Sequence, residues 1–338
     1  MTRRMVGLLA IVFALSILMV ACSGNGPDGE AQVTDDGIVA PEDAMIGVSM
    51  YTLGAPYFAA QEQAARRKAE ELGIRFASTN AEGDMGKQIA DVEDLLAQGI
   101  DLLILNPLDP EGLIPATEMA RDAGVPVVII DSSIDSSAYF VTTVQSHNLR
   151  NGELVGEWLQ QQMGNTPIRM ALLSGAQGNP VGKERRQGVF RGIIEEQLRT
   201  IGSSSFEIVS QGWGNWAHEG GLNAMEDILV AHPDINVLLA ENDSMALGAM
   251  LAIEEAGLSD DILVLAAADG QKEALELIRE GSYGATGLND PALIARTGIE
   301  IGLRVLAGET DFPAVSYTPP AVITQENVDQ YYDPDAVF

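Results

Sequence analysis

The sequence has little cysteine, few basic residues and few aromatic residues. Its one cysteine, Cys22, excludes a disulfide within the chain. The 19 lysines and arginines stand against 49 aspartates and glutamates, and the formal net charge is −30. This balance argues against a nucleic-acid partner, because phosphate binding needs basic patches. Aromatic residues make up 5% of the chain, so the few that lie close together are candidates for ligand contact.

Lysine is the scarcest of the charged residues, with four in the chain: Lys68, Lys87, Lys183 and Lys272. An acid excess with little lysine suggests the hypothesis of a saline environment, where screening relieves the repulsion between carboxylates. Melting the protein in low and in multimolar salt tests this hypothesis, and equal stability in both would contradict it.

A long hydrophobic run lies near the N-terminus. The 15 residues from Val6 to Val20 follow Arg3 and Arg4, and this length is short for a membrane span but typical of a signal peptide. The run ends in "MVAC", which resembles a lipoprotein signal in which Cys22 becomes the lipidated first residue of the mature chain. We therefore predict a signal peptide over 1–21 and an exported protein, held by its lipid to the membrane in the periplasm or at the cell surface. A retained membrane anchor is the alternative.

The next segment, 22–43, is rich in glycine, proline and acidic residues and has no apolar periodicity. This composition predicts a flexible tether. From residue 44 onward, apolar strand-like segments such as "DLLILN" and "VPVVIID" alternate with amphipathic helical ones. Near-continuous apolar strands are typical of parallel sheets covered on both faces. The alternation predicts an α/β fold with two doubly wound parallel-sheet lobes.

Polar residues follow several of these buried strands directly: Asn106, Asp131, Asn242 and Asp269. Ligands of open α/β sheets bind beyond the carboxyl ends of the strands. Carboxylates accept hydrogen bonds from hydroxyl groups, and amides both donate and accept. The four residues therefore predict a crevice for a neutral, hydroxylated ligand. The alternative for each one is a helix cap or a turn.

Two aromatic clusters lie beside the expected crevice. Tyr57 and Phe58 begin the first predicted helix, and Trp213 and Trp216 lie in "GWGNWAHEG". Flat apolar walls of this kind suit the faces of a sugar ring. Ordinary core packing is the alternative for both clusters.

Other chemistries find less support. "GWGNWA" matches G-x-G-x-x-A, but it lies far from the first strand–helix unit and its tryptophans would crowd a pyrophosphate. The three histidines lack metal-ligand spacing, so we predict no cofactor and no metal. Asp131 and Asp269 could act as an acid–base pair on a glycoside, and this enzymatic alternative stays open.

Longer segments resemble the periplasmic sugar-binding proteins of ABC transporters, particularly the ribose-binding type, over 44–325. They include "TLGAPYFAAQEQAARRKAEELG", "GKERRQGVFRG" and "AHPDINVLLAENDSMALGAM". The resemblance implies the type 1 periplasmic binding fold, with three crossovers between lobes near 144–146, 288–290 and 320–322. The N-terminal lobe would be 44–145 plus 290–320, and the C-terminal lobe and tail 146–289 plus 321–338. Lactose-repressor-like regulators share this fold but carry a DNA-binding helix pair where we predict an export signal in this chain.

The resemblance also implies the ligand-binding residues. These are Tyr57, Phe58, Asn106, Asp131, Lys183, Trp216, Asn242, Asp269 and Asn289. Lys183 falls where an arginine is usual, and Arg185 would serve if the register shifts. Ala55 and Ser132 stand in place of an asparagine and an arginine. Together with Lys183 they argue against ribose and favour another pentose, a hexose or a polyol.

The implied function is solute capture without catalysis. The two lobes would close on a sugar or polyol, and the loaded monomer would deliver it to the permease subunits of an ABC importer. A receptor for a chemosensory or sensor-kinase partner is the alternative.

Overall fold

The computed structural model describes residues 44–338. The predicted signal peptide, tether and lipidation site at Cys22 lie outside the described residues. Within the described part, the strands are β1 (Met45–Met50), β2 (Arg75–Asn80), β3 (Leu102–Asn106), β4 (Val127–Ile130), β5 (Thr142–Gln145), β6 (Arg169–Ser174), β7 (Glu207–Trp213), β8 (Val237–Ala240), β9 (Leu263–Asp269), β10 (Ala285–Leu288), β11 (Val315–Tyr317) and β12 (Val322–Thr324).

The helices connect the strands in alternation. They are α1 (Pro56–Glu71), α2 (Met85–Ala97), α3 (Ile114–Asp122), α4 (Asn148–Met163), α5 (Pro180–Thr200), α6 (His218–Ala231), α7 (Asp243–Glu255), α8 (Lys272–Glu280) and α9 (Pro291–Leu306). Among residues 44–338, no helix is long and apolar enough to cross a membrane.

The strands form two six-stranded sheets. The first has the order β11-β5-β4-β3-β1-β2, and all its neighbouring strands are parallel. The second has the order β12-β10-β9-β8-β6-β7, and its β12 edge strand is antiparallel to β10. These are the two doubly wound sheets that the alternation of strands and helices predicts, and the predicted fold class is confirmed.

Each sheet is covered by helices on both faces, which explains why its central strands are apolar along their whole length. In the first sheet, α1 and α9 cover one face, and α2 and α3 cover the other. In the second, α4 and α5 cover one face, while α6, α7 and α8 cover the other. The carboxyl ends of the parallel strands stay free of these helices and supply the polar residues.

The chain passes between the two sheets three times: after β5, after β10 and between β11 and β12. Asn151 on α4 contacts all three passages. Its Nδ2 donates to Ser146 Oγ at 2.9 Å and to the carbonyl of Leu288, and its Oδ1 accepts from the Ala321 amide at 3.0 Å. Ser146 Oγ also donates to the Leu288 carbonyl at 2.8 Å.

The alternation of segments leaves some element boundaries open. The helix after β3 begins only at Ile114, because the Asp109 carboxylate accepts from the amides of Glu111 and Gly112 and holds a turn there. β11 was not predicted, because a three-residue strand has no periodicity to detect; its pairing with β5 defines it.

Candidate ligand-binding site

A cluster of polar contacts joins residues from both sheets. Tyr57 Oη on α1 lies 2.7 Å from Asp131 Oδ1, beyond β4, and 3.2 Å from Asn289 Oδ1, beyond β10. Asn289 Nδ2 donates to Asp269 Oδ1 at 2.9 Å, and Arg185 Nη2 lies 2.9 Å from the same oxygen. The structure thus brings together four residues that the resemblance implied as ligand contacts, and adds Arg185.

Arg185 is the cation of this cluster, and Lys183 is not. Arg185 is 5% exposed, and its guanidinium also donates to Asn148 Oδ1 and to the Glu241 carbonyl, both at 3.0 Å. Lys183 lies exposed on α5, two residues earlier. Positions two apart on a helix face different directions, so the two residues cannot share this role. Arg185, the residue of the shifted register that the sequence left open, therefore takes the place in the cluster that the resemblance gave to Lys183, and its contact with a ligand stays a prediction.

Asn106 ends β3 and is fully buried beside Asp131, to which its side chain is hydrogen-bonded. Its Nδ2 donates to Gln61 Oε1 on α1 at 2.8 Å. Asn106 Oδ1 and Gln61 Nε2 have no protein partner. Buried polar atoms are normally paired, so this pair leaves one donor atom and one acceptor atom unpaired within the buried part of the cluster. Sequence reasoning missed Gln61, because a glutamine in an amphipathic helix gives no signal that it is buried.

The backbone around the site adopts conformations that are rare for non-glycine residues. Asp131 has φ 65°, and Asn215 and Trp216 have φ 49° and 65°. Left-handed backbone at residues other than glycine costs roughly 1–3 kcal/mol and persists where its surroundings enforce it. At Asp131, the left-handed turn follows directly on the buried strand β4 and precedes β5, to whose Val144 carbonyl the Asp131 amide donates.

The aromatic residues take different positions. The indole of Trp216 lies against Gly175 and Gly182, where a Cβ would come within 2.1 Å and 3.1 Å of its ring, and the Arg185 guanidinium is 5.8 Å from its centroid. Phe58 packs edge-on against both Tyr51 and Tyr57 and against the core of the first sheet. Trp216 therefore lies beside the cluster, whereas Phe58 supports Tyr57 from the core side.

Two further predicted residues lie apart from the polar cluster. Asn242 caps α7: its Oδ1 accepts from the Met245 amide at 3.1 Å, and its Nδ2 donates to the Trp216 carbonyl at 3.2 Å. Asn242 thus acts as a helix cap, the alternative that the sequence left open. Its bond to the Trp216 carbonyl also holds the turn that carries Trp216. Trp213 is 40% exposed at the end of β7.

Asp243 holds the loop that carries Asp269. Its Oδ2 accepts from the amides of Asp269, Gly270 and Gln271 at 2.7–3.0 Å, and its Oδ1 accepts from the Tyr283 hydroxyl at 2.7 Å. Burial, and then the negative charge of Asp269, raise the pKa of Asp243. This support was also missed, because one aspartate at a helix start reads as an ordinary cap.

Burial dominates the electrostatics of the cluster. It raises the pKa of Asp131 despite the opposing hydrogen bond from Tyr57 and the charge of Arg185. Burial, and then Asp131, raise the pKa of Tyr57 well above its usual value. The Tyr57 hydroxyl therefore stays protonated and donates at physiological pH. No group of three potential metal ligands occurs among residues 44–338, and the donors and acceptors suit a hydroxylated molecule.

Two mostly parallel sheets, with a polar cluster gathered at the carboxyl ends of their strands, define the class of two-lobed binding proteins with the type 1 periplasmic binding fold. The chain belongs to the family described as periplasmic binding protein domain, whose sequence profile matches residues 46–310.

Known relatives agree with this membership. The chain is 33% identical over 302 residues to the ribose import binding protein of Bacillus subtilis, covering 89% of this chain and 93% of that protein. Its structure is similar to that of an ABC transporter periplasmic solute-binding protein from Actinobacillus succinogenes with bound D-allose. The TM-score is 0.76 and the identity 29%, over 86% of this chain and 100% of that one. A solute-binding protein from Bacillus halodurans with bound myo-inositol has a TM-score of 0.72 and 26% identity, over 90% and 99% of the chains. The predicted resemblance is confirmed, and the family is one of binding proteins rather than glycoside-processing enzymes.

Proposed function

We propose that this chain is a lipid-anchored, exported solute-binding protein that captures a neutral sugar or polyol and delivers it to an ABC importer. The observation that carries the proposal is the polar cluster of Asp131, Tyr57, Asn289, Asp269 and Arg185, whose members, taken in this order, lie 2.7–3.2 Å from one another. It joins residues at the carboxyl ends of both sheets and consists of groups that bind hydroxyls. The ligands named for the relatives, ribose, D-allose and myo-inositol, belong to the same chemical class.

The two lobes of the proposal are 44–145 with 290–320 and 146–289 with 321–338. Ligand would bridge them and favour the closed arrangement by its differential affinity for it. Micromolar capture requires about 8 kcal/mol. Several hydrogen bonds to charged groups, at roughly 1.5–3 kcal/mol each, supply that amount before ordering costs are subtracted.

A thermal-shift screen with D-ribose, D-allose and myo-inositol, followed by calorimetric titration, tests the binding function. A ligand at one hundred times its Kd stabilises the folded state by about 2.7 kcal/mol, and the melting temperature should rise accordingly. Asp269→Asn should remove the shift, whereas Lys183→Ala, on the exposed side of α5, should keep it. If no sugar or polyol of the panel raises the melting temperature, the proposal is wrong.

The anchor and the transport partner need separate tests. Cys22→Ser should move the protein from the membrane fraction to the soluble fraction, and an unchanged distribution would contradict lipidation. Deleting the gene should abolish uptake of the bound sugar. Normal uptake with a lost sugar response would instead favour the sensor-kinase alternative.

A further inference from the structure

Two consecutive arginines on α5 pair with two different carboxylates. Arg185 Nη2 lies 2.9 Å from Asp269 Oδ1 in the polar cluster, and Arg186 Nη1 lies 2.8 Å from Glu241 Oε1. Neighbouring residues on a helix point in directions about 100° apart, so the two guanidinium groups leave the helix on different sides. The first ion pair belongs to the polar cluster, and the second lies outside it.

Glu241 nevertheless contacts both arginines, through different atoms. Its backbone carbonyl accepts from Arg185 Nη1 at 3.0 Å, and its carboxylate pairs with Arg186. The carboxylate also accepts from the Gly175 amide at 2.8 Å, and the Glu241 side chain is only 1% exposed. Arg185 is therefore held by a neutral oxygen of a residue whose own negative charge is a few bonds away.

The Glu241 carboxylate lies against the turn of α5 that precedes Arg185. A Cβ at Gly182 would come within 2.2 Å of Glu241 Oε2. Gly182 is three residues before Arg185, and residues three apart are neighbours on the surface of a helix. The carboxylate thus lies on the Arg185 side of α5 and is a potential competitor of Asp269 for the Arg185 guanidinium.

The charge of Arg186 prevents this competition. A buried carboxylate is costly unless it is paired, and Arg186 is the one basic residue of 44–338 that forms an ion pair with Glu241. Without Arg186, the Glu241 carboxylate would attract Arg185, which already donates to its carbonyl. Asp269, only 7% exposed, would then lose its cation.

Resting on the proposed function, we propose that Arg186 is a positioning residue for ligand binding. It neutralises Glu241, and this keeps Arg185 paired with Asp269 in the polar cluster. Arg186 acts in this way through Glu241 and Arg185, without touching the ligand itself.

Calorimetric titration with D-ribose, D-allose and myo-inositol measures the effect on affinity. Arg186→Met should weaken binding of the tightest of the three about tenfold or more, the loss expected when one hydrogen bond to a charged group is disrupted. Glu241→Gln, added to Arg186→Met, removes the competing charge, keeps an oxygen for the Gly175 amide and should restore most of the affinity. A purely structural role of Arg186 would lower the melting temperature and leave the affinity of the folded protein unchanged.

Arg191→Met is the matched control on the same helix. Arg191 is 63% exposed and pairs with Glu153, so its loss removes an arginine–glutamate pair of α5 outside the polar cluster. Its affinity for the sugar should equal that of the original protein.

Glu241→Gln alone should bind normally, because it leaves no charge for Arg186 to neutralise and Arg186, 25% exposed, can turn to solvent. A tenfold loss in this variant would show that the ion pair itself holds the site, and would overturn the inference even where Arg186→Met does not fold.

The outcomes separate this inference from the function on which it rests. If sugars bind and Arg186→Met leaves the affinity unchanged, or if the double variant binds as weakly as Arg186→Met, the inference is wrong and the function stands. If no sugar binds, the proposed function fails, and a crystal structure of Arg186→Met still decides the inference. Arg185 should lie at the Glu241 carboxylate in that structure, and Arg185 remaining at Asp269 would overturn it.

Discussion

The ring of Phe338 meets the ring of Tyr57 edge-on, with centroids 5.3 Å apart and planes at 90°. The two residues come from opposite ends of the described chain. The segment before Phe338 is attached to the second sheet's core through Tyr331 and Tyr332, and Lys272 Nζ donates to the Ala336 carbonyl at 3.2 Å. Tyr57 belongs to α1, on the first sheet. The contact therefore joins the tail, which packs on the second sheet, to the polar cluster beside the first sheet.

Phe338→Ala should weaken ligand binding. Edge-to-face aromatic pairs contribute about 0.5–1.5 kcal/mol beyond area burial, which corresponds to a loss of roughly two- to tenfold in affinity. Calorimetric titration with the tightest sugar of the panel measures it. Val337→Ala changes an adjacent apolar residue that is 51% exposed and should bind normally. Equal effects of the two substitutions would contradict a specific role for the ring contact.

Asp131→Asn should raise the stability of the protein at higher pH and at the same time weaken ligand binding. Burial raises the pKa of Asp131 above 3.8, so its contribution to stability is fully present below the unfolded pKa and is lost as pH rises through the folded pKa. Asparagine does not titrate, so the variant should gain stability relative to the original protein between pH 4 and pH 7. Its ligand affinity should fall, because one acceptor oxygen is lost. Melting curves at the two pH values measure the first effect.

Asp135→Asn provides the matched control for that pH dependence. Hydrogen bonds from Ser137 lower the pKa of Asp135, so its contribution is present above the unfolded pKa and is lost as pH falls through the folded pKa. The Asp135→Asn variant should therefore lose stability relative to the original protein as the pH rises, which is the opposite of the change expected for Asp131→Asn. Parallel pH profiles for the two variants would show that the burial of Asp131 is not the cause.

Arg185→Met should be strongly destabilising, whereas Lys183→Met should not. Removing the guanidinium leaves the Asp269 carboxylate, only 7% exposed, without its cation, and breaking a buried pair in this way costs about 3–5 kcal/mol. Urea unfolding gives the free energy of unfolding for each variant. Similar values for both would mean that the cation of the cluster has been misassigned.

Gly188→Ala should destabilise the fold, although alanine is the better helix former. A Cβ at Gly188 would lie 2.2 Å from the Leu149 carbonyl oxygen, because α4 and α5 approach backbone to backbone. Separating the helices should cost about 1–3 kcal/mol and should displace Arg185, one turn away on α5, weakening sugar binding. Gln187→Ala, at the exposed neighbouring position, should be neutral in both measurements. A stabilised Gly188→Ala would show that the contact is looser than described.

The sequence predicted the parts of the site that lie at strand ends. Asn106, Asp131 and Asp269 each end an apolar run, and the end of such a run is visible without a structure. Arg185 was harder to predict as a member of the site, because a shift of two residues decides which side chain of a helix faces the cluster. The positions at which helices start are also among the least certain predictions from sequence. Gln61 and Asp243 were missed because their roles depend on partners distant in the chain, Asn106 in one case and the loop after β9 in the other.

Asn151 contacts all three passages between the sheets. Its hydrogen bonds couple Ser146, Leu288 and Ala321, so a displacement of one passage must either move the other two or break a bond. We expect passages coupled in this way to have less freedom to lose when a solute is captured. More of the energy of the polar contacts would then remain as affinity, and an asparagine outside the polar cluster would help to set how tightly a solute is held.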